Sequence, residues 1–159
     1  MTSKPLALPA IDPETVETVS GSGYPAPFAA RMGDRVKSKL GDACGLAHIG
    51  VNLVALAPGG QSALRHWHTS EDEFVWVLEG ELTLISDAGE QVLRPGMCAG
   101  FPAGKRDAHH FANRSARPAR YLEIGERIER DNAFYPDDDV RWVETEKGIV
   151  AAHKDGRFY

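Results

Sequence analysis

Two imidazoles stand two residues apart in the stretch Arg65-His66-Trp67-His68, and a carboxylate, Glu73, follows five residues after the second. Side chains at i and i+2 of an extended strand leave the same face. His66 and His68 can therefore reach one point in space while Arg65 and Trp67 turn away. Thr69 to Asp72 reads as a polar turn, and Phe74-Val75-Trp76-Val77-Leu78 as a strand by its aromatic and β-branched content. An antiparallel return of that strand would set Glu73 beside the histidines. Imidazole nitrogens with one carboxylate oxygen suit a first-row transition metal. A His-x-His pair also occurs on ordinary surfaces; the carboxylate and the bracketing Gly60 and Gly80 argue for the metal.

The elements that must position these groups are short and turn-bounded. Leu46 to Ala57 reads as a strand ended by Pro58-Gly59-Gly60, and Glu81–Ser86, Glu90–Leu93, Met97–Phe101, His109–Asn113 and Ala119–Gly125 as further strands. Glycine and proline punctuate them at Asp87-Ala88-Gly89 and Arg94-Pro95-Gly96. Many short strands of this kind make a β-sandwich or barrel. Upstream, residues 1–45 read as an arm: a short strand near Val16 to Val19, a helical turn from Pro25, and loop from Arg31 to Asp42. Downstream, residues 126–159 read as an extension packed on the barrel, with strands at Arg141–Val143 and Gly148–Ala152.

A second cluster spans Gly96 to Asn113, with His109 and His110 near its end. Together the two clusters resemble the cupin superfamily. Its first motif is met without departure by Gly60, His66, His68, Glu73 and Gly80. Its second is met by Gly96, Pro102 and Gly104, and by His109 relative to Asn113. Four residues separate Gly104 from His109 where the family has two, so Asp107 occupies the expected histidine offset. The resemblance implies an all-β double-stranded β-helix, the cupin jelly-roll barrel over residues 46–125 with N- and C-terminal extensions. It also implies one divalent metal per chain (Mn, Fe, Ni or Zn) held by three histidines and a glutamate, and a homodimer. Among cupins the chain is most similar to small bacterial ones labelled sugar-phosphate isomerases or mannose-6-phosphate-isomerase-like proteins.

Asp107, His109 and His110 compete as fourth ligand. Loops tolerate insertions, so an offset from Gly104 is a poor ruler. Parity along the strand is stricter, because a one-residue slip reverses a side chain. His109, Phe111 and Asn113 share one face, which selects His109 beside His66, His68 and Glu73. Lys105 and Arg106, near the expected metal mouth, are the candidate contacts for an anionic substrate. Cys44, Cys98 and Phe101 read as core, His48 and His153 as structural or surface residues, and Asp137-Asp138-Asp139 as a solvated turn.

With 159 residues and a net charge of −5, without a basic stripe, the chain fits one domain and disfavours nucleic acid. No apolar run is long enough to span a membrane, and the N-terminus lacks a signal-peptide core, so a cytoplasmic protein is expected. Three functions remain open: an isomerase or lyase using the metal as Lewis acid on a small anionic or sugar-like molecule, an iron-dependent dioxygenase, and a non-catalytic small-ligand-binding module. Isomerisation needs a base, and Glu73, as a ligand, is not available for that role.

Overall fold

The computed structural model describes residues 9–159. Its strands are β1 (Thr18–Ser20), β2 (Arg35–Lys39), β3 (Ile49–Leu56), β4 (Trp67–His68), β5 (Glu73–Glu79), β6 (Leu82–Ser86), β7 (Gly89–Leu93), β8 (Cys98–Phe101), β9 (His110–Ala112), β10 (Ala119–Glu126), β11 (Ala133–Phe134), β12 (Arg141–Thr145) and β13 (Gly148–Ala152). Two single-turn helices, α1 (Ala26–Ala29) and α2 (Leu40–Ala43), lie in the N-terminal third.

A six-stranded antiparallel sheet in the order β1-β2-β3-β10-β5-β8 faces a three-stranded sheet, β7-β6-β9. Period-2 alternation decides the inner faces. On β5, Val75 and Val77 are buried while Trp76 and Leu78 are exposed. On β10, Tyr121 is fully buried opposite Val54 and Val77. These residues, with Leu56, Leu82, Leu93 and Phe111, form the core between the sheets. Each such side chain contributes roughly 1.5–3 kcal/mol by leaving water.

The expectation of loop from Arg31 to Asp42 is corrected. Arg35–Lys39 is β2, paired along β3, and α2 follows it directly. The strand was hidden because its inward positions are charged. Lys37 reaches Glu123 at 2.9 Å and Arg35 lies 3.7 Å from the same carboxylate, so ions rather than apolar groups face the barrel there. The cysteines are corrected as well. Cys44 and Cys98 are both exposed, Cys98 because its register partner is the outward-facing Trp76.

A second apolar cluster joins the two ends of the chain: Phe28 and Met32 from the N-terminal segment, Leu64, and Tyr135 and Val140 from the C-terminal one. The aspartate run nearby is the expected solvated turn, a bend whose Asp137 and Asp139 side chains stay more than half exposed, with each of its carboxylates paired. Asp137 pairs with Arg65, Asp138 with Arg31, and Asp139 with His153.

Candidate metal centre

β4 carries His68, and a two-way backbone bridge fixes the residues beside it. His66 N donates to His109 O at 3.1 Å, and His109 N returns to His66 O at 2.8 Å. The expected antiparallel return of β5 onto the histidine strand does not occur. β5 pairs with β10 and β8, and β4 pairs with β11. Glu73 instead meets the histidines across the barrel interior, from the first residue of β5.

Its carboxylate gathers three imidazoles. His66 Nε2 lies 3.7 Å from Glu73 Oε2, His68 Nε2 3.7 Å from Oε1, and His109 Nε2 3.1 Å from Oε2. His66, His68 and Glu73 each offer an atom within 4.8 Å of the others and could hold a metal ion. Burial alone would raise the Glu73 carboxyl, but His109 and His66 beside it hold it far below the ordinary carboxylate range. Burial works against charge on His66, and Glu73 outweighs this and raises it.

The donor set fits a cation. His66 Nδ1 lies 2.7 Å from Leu64 O, and a carbonyl only accepts, so that nitrogen carries the hydrogen. Whenever the ring is neutral its Nε2 turns a bare lone pair on the carboxylate, which is why Glu73 favours a positive charge at that position. Glu73 Oε2 is buried without a hydrogen-bond partner among the described residues. Lone pairs turned on one another in a buried site are unfavourable until something positive lies between them. His68 Nδ1 lies 2.5 Å from Asp131 Oδ2. Burial would raise Asp131, and the adjoining His68 and the Ser70 amide hold it below its usual range. Phe101 stacks on the His109 ring with centroids 3.4 Å apart, and Tyr135 lies against His66 at 5.7 Å.

The other two candidates have different partners. Asp107 accepts from the Asp87 amide at 2.9 Å and sits 3.8 Å from Lys105 Nζ. His110 pairs with Ile85 on β6, and its pKa is pushed down to about 4, by burial first and by Arg65 second. His109, just before β9, is bridged to His66 and turns its Nε2 on Glu73, whereas His110, the first residue of β9, stands opposite Ile85.

A cavity of about 250 Å³ opens on this cluster, lined by His68, Glu73 and His109 and, on its other walls, by Trp67, Phe101, Lys105 and Asp107. Ser86 and Gln91 add neutral polar groups. Lys105 therefore lies at the cavity, while Arg106 sits outside it, its guanidinium 5.7 Å from the Trp67 ring centre. Trp67 turns from the ligands to stack on Phe134 at 4.8 Å. Asp131 and Tyr135 carry no local motif that ties them to the site. They are separated from His68 by more than sixty residues of sequence, and a ring nitrogen's need for a second partner was the one available signal.

The Cupin domain family matches residues 52–125. No protein with a curated description matches the chain. Among solved structures, the chain is 44% identical to a sugar phosphate isomerase from a cupin superfamily of Silicibacter pomeroyi, with a TM-score of 0.89 over 95% of this chain and 96% of that one. It is 33% identical to a provisional sugar phosphate isomerase of Acidithiobacillus ferrooxidans, with a TM-score of 0.69 over 77% and 78% of the two chains. The polyketide cyclase RemF of Streptomyces resistomycificus, 19% identical, shares the fold at a TM-score of 0.61 over 76% and 80%.

Proposed function

Because this chain belongs to the cupin family, we propose that it binds one divalent transition metal and acts on a small anionic or sugar-like molecule as an isomerase or lyase. The observation that carries this reading is the convergence of three imidazole Nε2 atoms on Glu73 at the wall of a small cavity that also holds a lysine. His66, His68, Glu73 and His109 would hold the ion. Once bound, it supplies Lewis acidity toward a substrate carbonyl.

The remaining steps fall to the protein's own groups. Lys105 offers the cavity's cation to a substrate phosphate or carboxylate. Trp67 and Phe101 give it apolar walls that exclude water. Asp107, a carboxylate lining the same cavity, is the group placed to take a proton from a substrate carbon and return it to a neighbouring one. A cavity of about 250 Å³ corresponds to roughly eight water volumes. It is of the size of a small sugar phosphate, and Lys105 on its wall is the group for the charged end. The isomerase named for the Silicibacter pomeroyi structure supports this choice of reaction.

The test is turnover of a panel of aldose and ketose phosphates by protein loaded in turn with manganese, iron, nickel and zinc, under nitrogen and under air. Anaerobic interconversion of an aldose and a ketose is expected. Oxygen uptake coupled to turnover would replace the isomerase by a dioxygenase, and binding without turnover by a ligand-binding module.

The chain is also read as a homodimer. The outer face of the six-stranded sheet carries exposed Trp76 and Leu78 on β5, with Leu122 and Ile124 beside them on β10. A second copy is the occupant that would cover that apolar face.

A further inference from the structure

Asp131 lies beyond the barrel, in the segment that follows β10, yet it is tied to the metal centre more tightly than its place in the sequence suggests. Its side chain is 10% exposed. Oδ2 lies 2.5 Å from His68 Nδ1, while Oδ1 accepts from the Ser70 amide at 2.8 Å and from Thr69 Oγ1 at 3.2 Å. The backbone on either side is pinned to the same turn. Thr69 N donates to Asn132 O at 3.0 Å, Asn132 N to Thr69 Oγ1 at 3.0 Å, and Ile128 N to Glu71 Oε1 at 3.0 Å. β11 then pairs with β4, Ala133 opposite His68 and Phe134 opposite Trp67.

We propose that Asp131 is a positioning residue, which fixes the His68 ring with its hydrogen on Nδ1 and its Nε2 lone pair aimed at Glu73. The inference rests on the metal-site reading above. A carboxylate can only accept from a neutral imidazole, so contact with Asp131 selects one tautomer of two. The contact also fixes the ring's rotation, because the carboxylate is itself held by Ser70 and Thr69. Leu64 O performs the same service for His66 through a neutral carbonyl. His68 receives the charged and stronger partner, which raises the basicity of its Nε2.

The same atoms admit one rival role. His68, Glu71 and Asp131 lie close enough to form an ion site of their own. Their inward atoms are engaged, however: Glu71 Oε1 by the Ile128 amide, and both Asp131 oxygens by His68 and the Ser70–Thr69 turn. A hydrogen on His68 Nδ1 excludes an ion there.

The full-length protein is compared with Asp131→Ala, Asp131→Asn and Phe134→Ala. Phe134→Ala loosens the returning strand by removing the stack on Trp67 and leaves Asp131 in place. Imidazole nitrogen shifts from long-range 15N NMR on the metal-free protein report the tautomer, and chelator competition reports zinc and cobalt affinity. Thermal melting shows that each variant is folded. In the wild type His68 is expected as the Nδ1–H form. Asp131→Ala loses that preference and binds metal roughly 10–100-fold more weakly. Asp131→Asn, which keeps an acceptor, recovers the tautomer and part of the affinity, and Phe134→Ala stays within about threefold of wild type in both readings.

An unchanged His68 tautomer in Asp131→Ala overturns the proposal, as does an equal loss of affinity in Phe134→Ala. Two metal ions per wild-type chain, one of them lost in Asp131→Ala, would make Asp131 a ligand instead. Should the wild type take up no metal, the metal reading fails, and the tautomer measurement still decides whether Asp131 orients His68.

Discussion

Replacing Gly80 by alanine tests how the chain leaves β5. Gly80 has φ +72°, and a Cβ on it would lie 2.5 Å from Pro118 O and 2.8 Å from Ala119 Cα. The left-handed backbone costs an alanine roughly 1–2 kcal/mol. The obstructing atoms are backbone at the start of β10, which is hydrogen-bonded to β3 on one side and β5 on the other. They cannot step aside as a flexible side chain would, and overpacking of this kind adds roughly 1–3 kcal/mol. Gly45 supplies the control, since its φ is +74° and a Cβ on it would meet nothing within 4 Å. In urea unfolding followed by tryptophan fluorescence, Gly80→Ala should lose about 2–5 kcal/mol and Gly45→Ala about 1–2 kcal/mol, at unchanged slope. Equal losses in the two variants would refute the argument, because the close approach of β10 would then contribute nothing.

Three further outcomes are expected. His109→Ala should lower metal affinity by at least the roughly 10–100-fold typical of losing an outer partner, while His110→Ala stays within about threefold; elemental analysis after dialysis against a graded chelator reads both, and the reverse order would sink the assignment. Lys105→Ala should raise KM for a phosphorylated substrate several-fold with a smaller change in kcat, as expected for a partly exposed charge contact of roughly 1 kcal/mol; a pure kcat effect in steady-state kinetics would place Lys105 in the chemistry instead. Trp76→Glu should weaken self-association by about 30-fold or more in light scattering, since a charge would replace an aromatic anchor of the outer sheet face, and an unchanged mass would move the interface elsewhere.

The barrel is legible because its strands are short, rich in β-branched and aromatic residues, and bounded by glycine and proline. The four residues Val75 to Leu78 are all apolar, so their two faces separate only in the fold, where Val75 and Val77 are buried and Trp76 and Leu78 exposed; the spacing of His66, His68 and Glu73 does bring them to one site. The route was not legible. Spacing suggested a hairpin, whereas Glu73 reaches the histidines from a different sheet, because pairing partners are chosen by the whole barrel and not by the nearest turn. β2 has no apolar signature of its own, since Arg35 and Lys37 are paired with Glu123 from a strand more than eighty residues away. Cys98 is ambiguous for a related reason: a small apolar residue fits either face until its register with Trp76 is known. Asp131 lay outside any motif, and its role depends on a three-dimensional return that composition does not encode.

The cluster joining the two ends of the chain has a consequence for synthesis. Phe28 and Met32 pack against Tyr135 and Val140, and Tyr135 in turn lies against His66. A ribosome working at roughly 5–20 residues per second needs about 5–20 s to travel from one side of this contact to the other. Throughout that interval the early apolar side chains have no partner, and the pocket around His66 and His68 lacks its outer wall. The barrel strands can pair as they emerge, but the pocket closes only once the final quarter of the polypeptide has cleared the exit tunnel. A nascent chain stalled before residue 131 would carry His68 without the carboxylate on its Nδ1 and His66 without its aromatic neighbour.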